Sequence, residues 1–98
     1  MRVRKLAKEI EAHRFIAAEV RGETTQVLPP EWFLTAFNDG TIEYGTKRDG
    51  SGFLTIHDKV NNHGDLIAND GDWIMRGVNG ELYPCTNDVF EQTYERIE

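Results

Sequence analysis

His57 and His63 stand six residues apart with Asp58 and Asp65 beside them, and these are the residue types that bind metals. A metal centre needs three or four convergent ligands and a set of outer partners that orient them. No His-x-His, His-x-x-x-His or paired-cysteine spacing accompanies the four. The segment therefore reads as a solvated loop in which Asn61-Asn62-His63-Gly64 supplies turn chemistry, and no metal is expected. Cys85, the only cysteine, follows Tyr83-Pro84 and precedes the start of a helix. A thiol there can lose its proton more readily, but nucleophilic catalysis also needs a base. His13, His57 and His63 are the histidines available. The reading preferred for Cys85 is a small packed residue at a helix start. No catalytic residue is assigned, and the protein is expected not to be an enzyme.

Trp73, Arg76 and Tyr83 form a different kind of set. An arginine near aromatic rings can hold an anion or stack a base. Alternation along a strand puts Trp73 and Met75 on one face, Ile74 and Arg76 on the other. Tyr83 lies across a hairpin from them. With Trp32, these are the candidate ligand- or partner-binding residues. The competing reading is cross-strand packing. Gly71, Gly77 and Gly80 make no phosphate cradle, since neither a GxGxxG nor a GK[ST] pattern is present. Turns and bulges account for them.

The elements that must position these residues follow from turn and periodicity signals. Pro29-Pro30 opens a helix over 30–38, with Trp32, Phe33, Ala36 and Phe37 on one face and Asn38-Asp39-Gly40 closing it. Thr41–Tyr44 is a short strand. Gly52–His57 is a strand with Phe53, Thr55 and His57 on one side and Leu54 and Ile56 on the other. Asp58–Gly64 is a loop, and Asp65–Asn69 a further strand. Asp70-Gly71 turns the chain into Trp73–Val78, and Asn79-Gly80 turns it again into Glu81–Tyr83. Thr86 caps a final helix at 86–95, with Asp88 in its first turn and Val89, Phe90, Thr93 and Tyr94 facing inward. Arg21–Val27 is a polar connector. Residues 6–15 fit either strand or helix, and taken alone favour helix. Met1–Lys5 reads as a loose, charged arm.

The expected fold is α+β, a single domain with an antiparallel sheet of about five to six strands and two short helices. Ninety-eight residues suffice for one core and no more.

Charge narrows the partners. Residues 1–22 hold six basic residues against three acidic ones; residues 23–98 hold five against fourteen, and the net charge is −6. An acidic body is a poor general binder of nucleic acid, which requires clustered Lys and Arg. It suits solubility, or a basic protein surface. A single cysteine precludes an internal disulfide and suits a reducing compartment. No apolar run reaches the ~20 residues that span a bilayer, and the N-terminal segment lacks the apolar stretch of a secretory signal. A cytoplasmic location with no membrane partner is expected.

The run Gly71-Asp72-Trp73-Ile74-Met75-Arg76-Gly77-Val78-Asn79-Gly80-Glu81-Leu82-Tyr83-Pro84-Cys85, continued by Asp88-Val89-Phe90-Glu91-Gln92-Thr93-Tyr94-Glu95, resembles a family of small tailed-bacteriophage and prophage proteins. That family's typical tail reads PGDWIIKGVKGEFYPCKPDIFEKTYE. Lys8-Glu9-Ile10-Glu11-Ala12 is similar to its KPVVIEA strand, which turns the open choice over 6–15 toward strand. Pro30-Glu31-Trp32-Phe33 is similar to its PEW helix. The close match covers about a quarter of the chain. Asn69-Asp70 replaces the usual proline of the turn, and Asn79 replaces lysine. The family carries no chemistry that assigns a catalytic residue or cofactor. The resemblance implies a non-enzymatic phage accessory protein in the bacterial host cytoplasm. Such a protein would bind and sequester or inhibit a host factor, either a defence protein or a signalling nucleotide, and could be a homo-oligomer. The alternative is a structural or virion-associated protein, with Arg2-Val3-Arg4-Lys5-Leu6 as an assembly arm; a small enzyme ranks third.

Overall fold

A computed structural model of the chain describes residues 1–5, 8–24, 28–58 and 64–97. In chain order the elements are β1 (Arg2–Lys5), β2 (Lys8–Arg14), α1 (Ala17–Val20), α2 (Glu31–Asn38), β3 (Ile42–Thr46), β4 (Gly52–Asp58), β5 (Gly64–Asn69), β6 (Trp73–Arg76), β7 (Leu82–Cys85), α3 (Asn87–Thr93) and β8 (Glu95–Arg96). All strand pairs are antiparallel, and the fold is α+β as the sequence indicated. The strands divide between two sheets. Five lie in the order β7-β6-β2-β1-β8, and three in the order β3-β4-β5.

Segment 8–14 is a strand because its alternation finds a use on both sides. Ala12 pairs with Met75 and Arg14 with Trp73, which puts the even-numbered residues over one core. Glu11 pairs with Arg76 and His13 with Ile74, so the odd-numbered residues face the other way. The five-stranded sheet thus has two covered faces. On one, Val3, Ala12, Trp73 and Met75 pack against Phe90 of α3. On the other, Ile74 packs with Phe33 and Ala36 of α2 and with Ile42, Leu54, Ile56 and Ala68 of the three-stranded sheet. Burying these side chains contributes roughly 25 cal/mol per Å² of apolar surface.

Besides this division of the strands into two sheets, where one was expected, further details differ from the sequence reading. Met1–Lys5 is not a loose arm: Arg2–Lys5 pairs with β2 on one side and with β8 on the other, and Val3 is fully buried. Only Val3 signals this among flanking basic residues, and its burial depends on partners remote in sequence. A third helix, α1, also forms. The Asp70 carboxylate accepts a hydrogen bond from Ala17 N at 2.9 Å, so the Asp70-Gly71 turn fixes the start of α1.

The final helix, expected to reach 95, ends at Thr93 and gives way to β8, and residues 25–27 and 59–63 of the expected connector and loop lie outside the described residues. Several other local expectations hold. Leu54 and Ile56 point inward while Phe53, Thr55 and His57 stay partly exposed. Gly71 and Gly80 take φ of +94° and +80°, the left-handed values that their turns require. Thr86 caps α3 by accepting from Val89 N at 3.4 Å, and Phe90 is buried. Val89, expected on the inner face, is half exposed, because Phe90 is the one residue that the seven-residue helix buries against Trp73.

Candidate ligand-binding site

The four candidate residues separate across the five-stranded sheet. β6 pairs with β7 so that Trp73 faces Cys85, Met75 faces Tyr83 and Arg76 faces Leu82. Trp73 and Tyr83 therefore share the α3 face, and Arg76 lies on the opposite one. Trp73 is 4% exposed, and its Nε1 donates to Asn87 Oδ1 at 3.0 Å. Phe90 covers its ring, and the Phe90 ring in turn stacks on Tyr94. Burial and the neighbouring Tyr94 hydroxyl push the Tyr83 phenol well above its ordinary pKa. Cys85 packs at the rim of the same cluster, with its thiol 3.5 Å from Thr86 O. These aromatic residues form a core under α3.

On the opposite face, Trp32 and Arg76 meet through a residue that the sequence did not single out. Glu11 accepts from Trp32 Nε1 at 2.8 Å with one carboxylate oxygen, and from Arg76 Nη1 at 3.1 Å with the other. Trp32 and Arg76 line a shallow hollow of about 480 Å³ with Glu31, Thr35 and Leu82. No local signal marks Glu11, because its partners come from α2 and β6.

His57 bonds Asp65 through Nδ1 at 2.7 Å, and its Nε2 lies 3.7 Å from Glu43. The hydrogen bond to Asp65, aided by both negative charges, raises the His57 pKa above its ordinary value. His63 lies outside the described residues. Among the described residues, no group of three or more His, Cys, Asp or Glu side chains could hold a metal ion. Among the described residues, no helix is long and apolar enough to cross a membrane.

A further hollow with binding geometry lies where β2 ends. After Arg14 the chain turns through Phe15 and Ile16 into α1, and α2 returns alongside. His13 packs on Phe33 at 4.6 Å between ring centres, and Phe33 meets Phe37 edge-on at 5.2 Å. Together with Ile16, Val20 and Leu34 they line a hollow of about 410 Å³, with Glu19 and Asn38 also on its wall. That volume lies within the range of small-molecule sites, and its mix of apolar walls and few polar groups is typical of them. Burial lowers the His13 pKa, partly offset by Glu19. The neutral ring can donate from one nitrogen and accept at the other. Val20 and Leu34 at this hollow are 37% and 46% exposed, and Leu28 nearby is 88% exposed.

A second hollow, of about 430 Å³, shares the wall made by His13, Arg14, Ile16 and Glu19. Arg14 Nε donates to Gly71 O at 2.9 Å, and its guanidinium carbon lies 5.9 Å from the centre of the Trp73 ring. His13, Arg14, Phe33, Leu34 and Phe37 thus join the site without having been selected from the sequence. Their only sequence signal was the helical face of Phe33 and Phe37, which reads equally as core. The chain matches no known family model, and no curated protein or solved structure is similar to it.

Proposed function

We propose that this is a non-enzymatic binding module, a phage accessory protein that sequesters or inhibits a factor of the bacterial host. The observation that carries this reading is the 410 Å³ hollow between the end of β2, α1 and α2, where the half-exposed Val20 and Leu34 surround a neutral His13. Exposed apolar side chains gathered around a concavity are a common mark of binding sites. The similarity of residues 71–95 to small tailed-phage proteins supports the setting, a host cytoplasm in which a host-defence protein or signalling nucleotide is the target. The virion-associated alternative is favoured less, because β1 pairs with β2 and, at Val3 and Arg4, with β8.

Native mass spectrometry of the protein expressed in a bacterial host tests the reading. A co-purifying host protein or small molecule is expected, and Leu34→Asp should abolish its capture without changing the thermal midpoint. A bare protein, or capture unaffected by Leu34→Asp, would argue against this site.

A further inference from the structure

The chain is acidic overall, yet two arginines from opposite ends of the sequence converge beside Trp73. Arg14, at the end of β2, and Arg96, in β8, both line the 430 Å³ hollow and a neighbouring one of about 300 Å³, with Trp73 in the wall of each. Arg14 uses Nε for Gly71 O and its guanidinium face for Trp73. Its orientation is therefore fixed, while its terminal nitrogens are not consumed by those contacts. No hydrogen bond or ion pair among the described residues engages the Arg96 side chain, which is exposed. Guanidinium groups bind oxyanions through paired N–H donors, and phosphate above all.

The rest of the larger hollow has a different character. Met1, Ile16, Leu28 and Pro30 give it an apolar wall, and His13 and Glu19 close the side nearest α1. The charged groups facing it include Arg14 and Arg96 on one part, the Glu19 carboxylate on another and the N-terminal ammonium of Met1, whose charge reaches His13; the smaller hollow adds Glu91, whose Oε1 accepts from Asn87 Nδ2. A ligand that satisfies all of this carries its negative charge at one end and a ring or apolar body at the other.

We propose that Arg14 and Arg96 hold the phosphate of a small phosphorylated ligand of mononucleotide size, whose ring lies against Ile16, Leu28 and Pro30. The proposal rests on the reading of the protein as a binding module, and it names the ligand class. Trp73 acts here as the wall that orients Arg14. Its own ring, under Phe90, does not stack the ligand. Glu19 disfavours a second phosphate at the far end, so a monophosphate is preferred to an extended polyphosphate.

The test is an NMR titration of the intact chain with AMP, adenosine, inorganic phosphate and benzoate. The indole N–H of Trp73 and the Arg14 Nε–H report on the site, and the indole of Trp32, across the sheet, serves as the internal control. AMP is expected to shift the Trp73 and Arg14 signals saturably and to leave Trp32 in place. Adenosine and phosphate should each bind at least about tenfold more weakly than AMP. Arg96→Gln, an exposed change at a sheet edge, should weaken AMP about tenfold with an unchanged thermal midpoint. Absence of any shift with AMP overturns the proposal, as does an equal affinity for Arg96→Gln. Benzoate binding as tightly as AMP overturns the choice of phosphate over carboxylate. Failure with AMP while a host protein still co-purifies through the Leu34 site removes this proposal and leaves the binding-module reading standing. Binding of AMP by a protein that captures nothing from its host upholds the site and removes the sequestering role.

Discussion

The indole of Trp73 and the ring of Phe90 lie face to face, their centres 3.9 Å apart and their planes within 8° of parallel. This stack is the main contact by which α3 covers the five-stranded sheet, because Phe90 is the buried residue of that helix. Phe90→Ala should therefore cost about 3–5 kcal/mol. For a domain of this size that lowers the thermal midpoint by roughly 15 °C or more. Trp73→Ala should cost a similar amount, since it also leaves Asn87 without its indole donor. Unchanged midpoints in thermal unfolding followed by circular dichroism would show that α3 docks by other contacts.

Glu11 joins Trp32 to Arg76, yet the pair with Arg76 is worth little. Their side chains are 40% and 42% exposed, and ion pairs that open to water contribute about 0–1 kcal/mol. Glu11→Gln keeps an acceptor for Trp32 and should cost no more than about 1 kcal/mol. Glu11→Leu removes both acceptors and should cost more, with the difference reporting on the Trp32 hydrogen bond. Chemical denaturation of the two variants and of Arg76→Leu closes the comparison. A Glu11→Gln cost equal to that of Glu11→Leu would assign the whole effect to the ion pair.

How much of this was legible follows the range of the interactions. The faces of β4 and β6 came out correctly because alternation and the Asn79-Gly80 turn are local signals. Division of the strands into two sheets did not, because it depends on β2 pairing with β6, as in the contact between Glu11 and Arg76, 65 residues apart. The β1 strand was missed for the same reason: one buried valine between two arginines has no detectable period. At the site, Trp32, Trp73, Arg76 and Tyr83 stand out by type, but β6 sends Trp73 and Arg76 to opposite faces, Tyr83 of β7 sides with Trp73, and Trp32 of α2 sides with Arg76. Arg14 and Arg96 meet only once β8 has joined the far side of β1, and nothing near either residue announces it.

Two glycines in neighbouring strands should differ sharply in tolerance. A Cβ at Gly45 would lie 2.6 Å from Phe53 Cζ, the far end of a ring that is partly exposed. That ring can swing outward, so Gly45→Ala should cost about 1 kcal/mol. A Cβ at Gly52 would meet the Tyr44 hydroxyl and, at 2.8 Å, the Cβ of buried Ala17. The Ala17 atom moves only with its backbone, and Asp70 holds that backbone by its hydrogen bond to Ala17 N. Gly52→Ala should therefore cost about 2–3 kcal/mol and shift α1 against the sheet. Equal thermal midpoints for the two variants would mean that α1 yields as readily as the Phe53 ring.

The two described histidines make stability depend on pH in opposite senses. The Asp65 hydrogen bond, with Glu43 nearby, raises the His57 pKa above 6.5, so protonation is favoured by folding. Its contribution is fully present below the unfolded value of about 6.5 and is lost as pH rises through the raised value. Burial lowers the His13 pKa, so the folded state favours the neutral ring. That contribution is fully present above about 6.5 and is lost as pH falls through the lowered value. In denaturant unfolding measured from pH 5 to pH 8, His57→Gln should remove the fall in stability on the alkaline side. His13→Gln should remove the fall on the acid side. An unchanged acid limb in His13→Gln would mean that the ring titrates as it does in water, and that the hollow beside Phe33 is open to solvent.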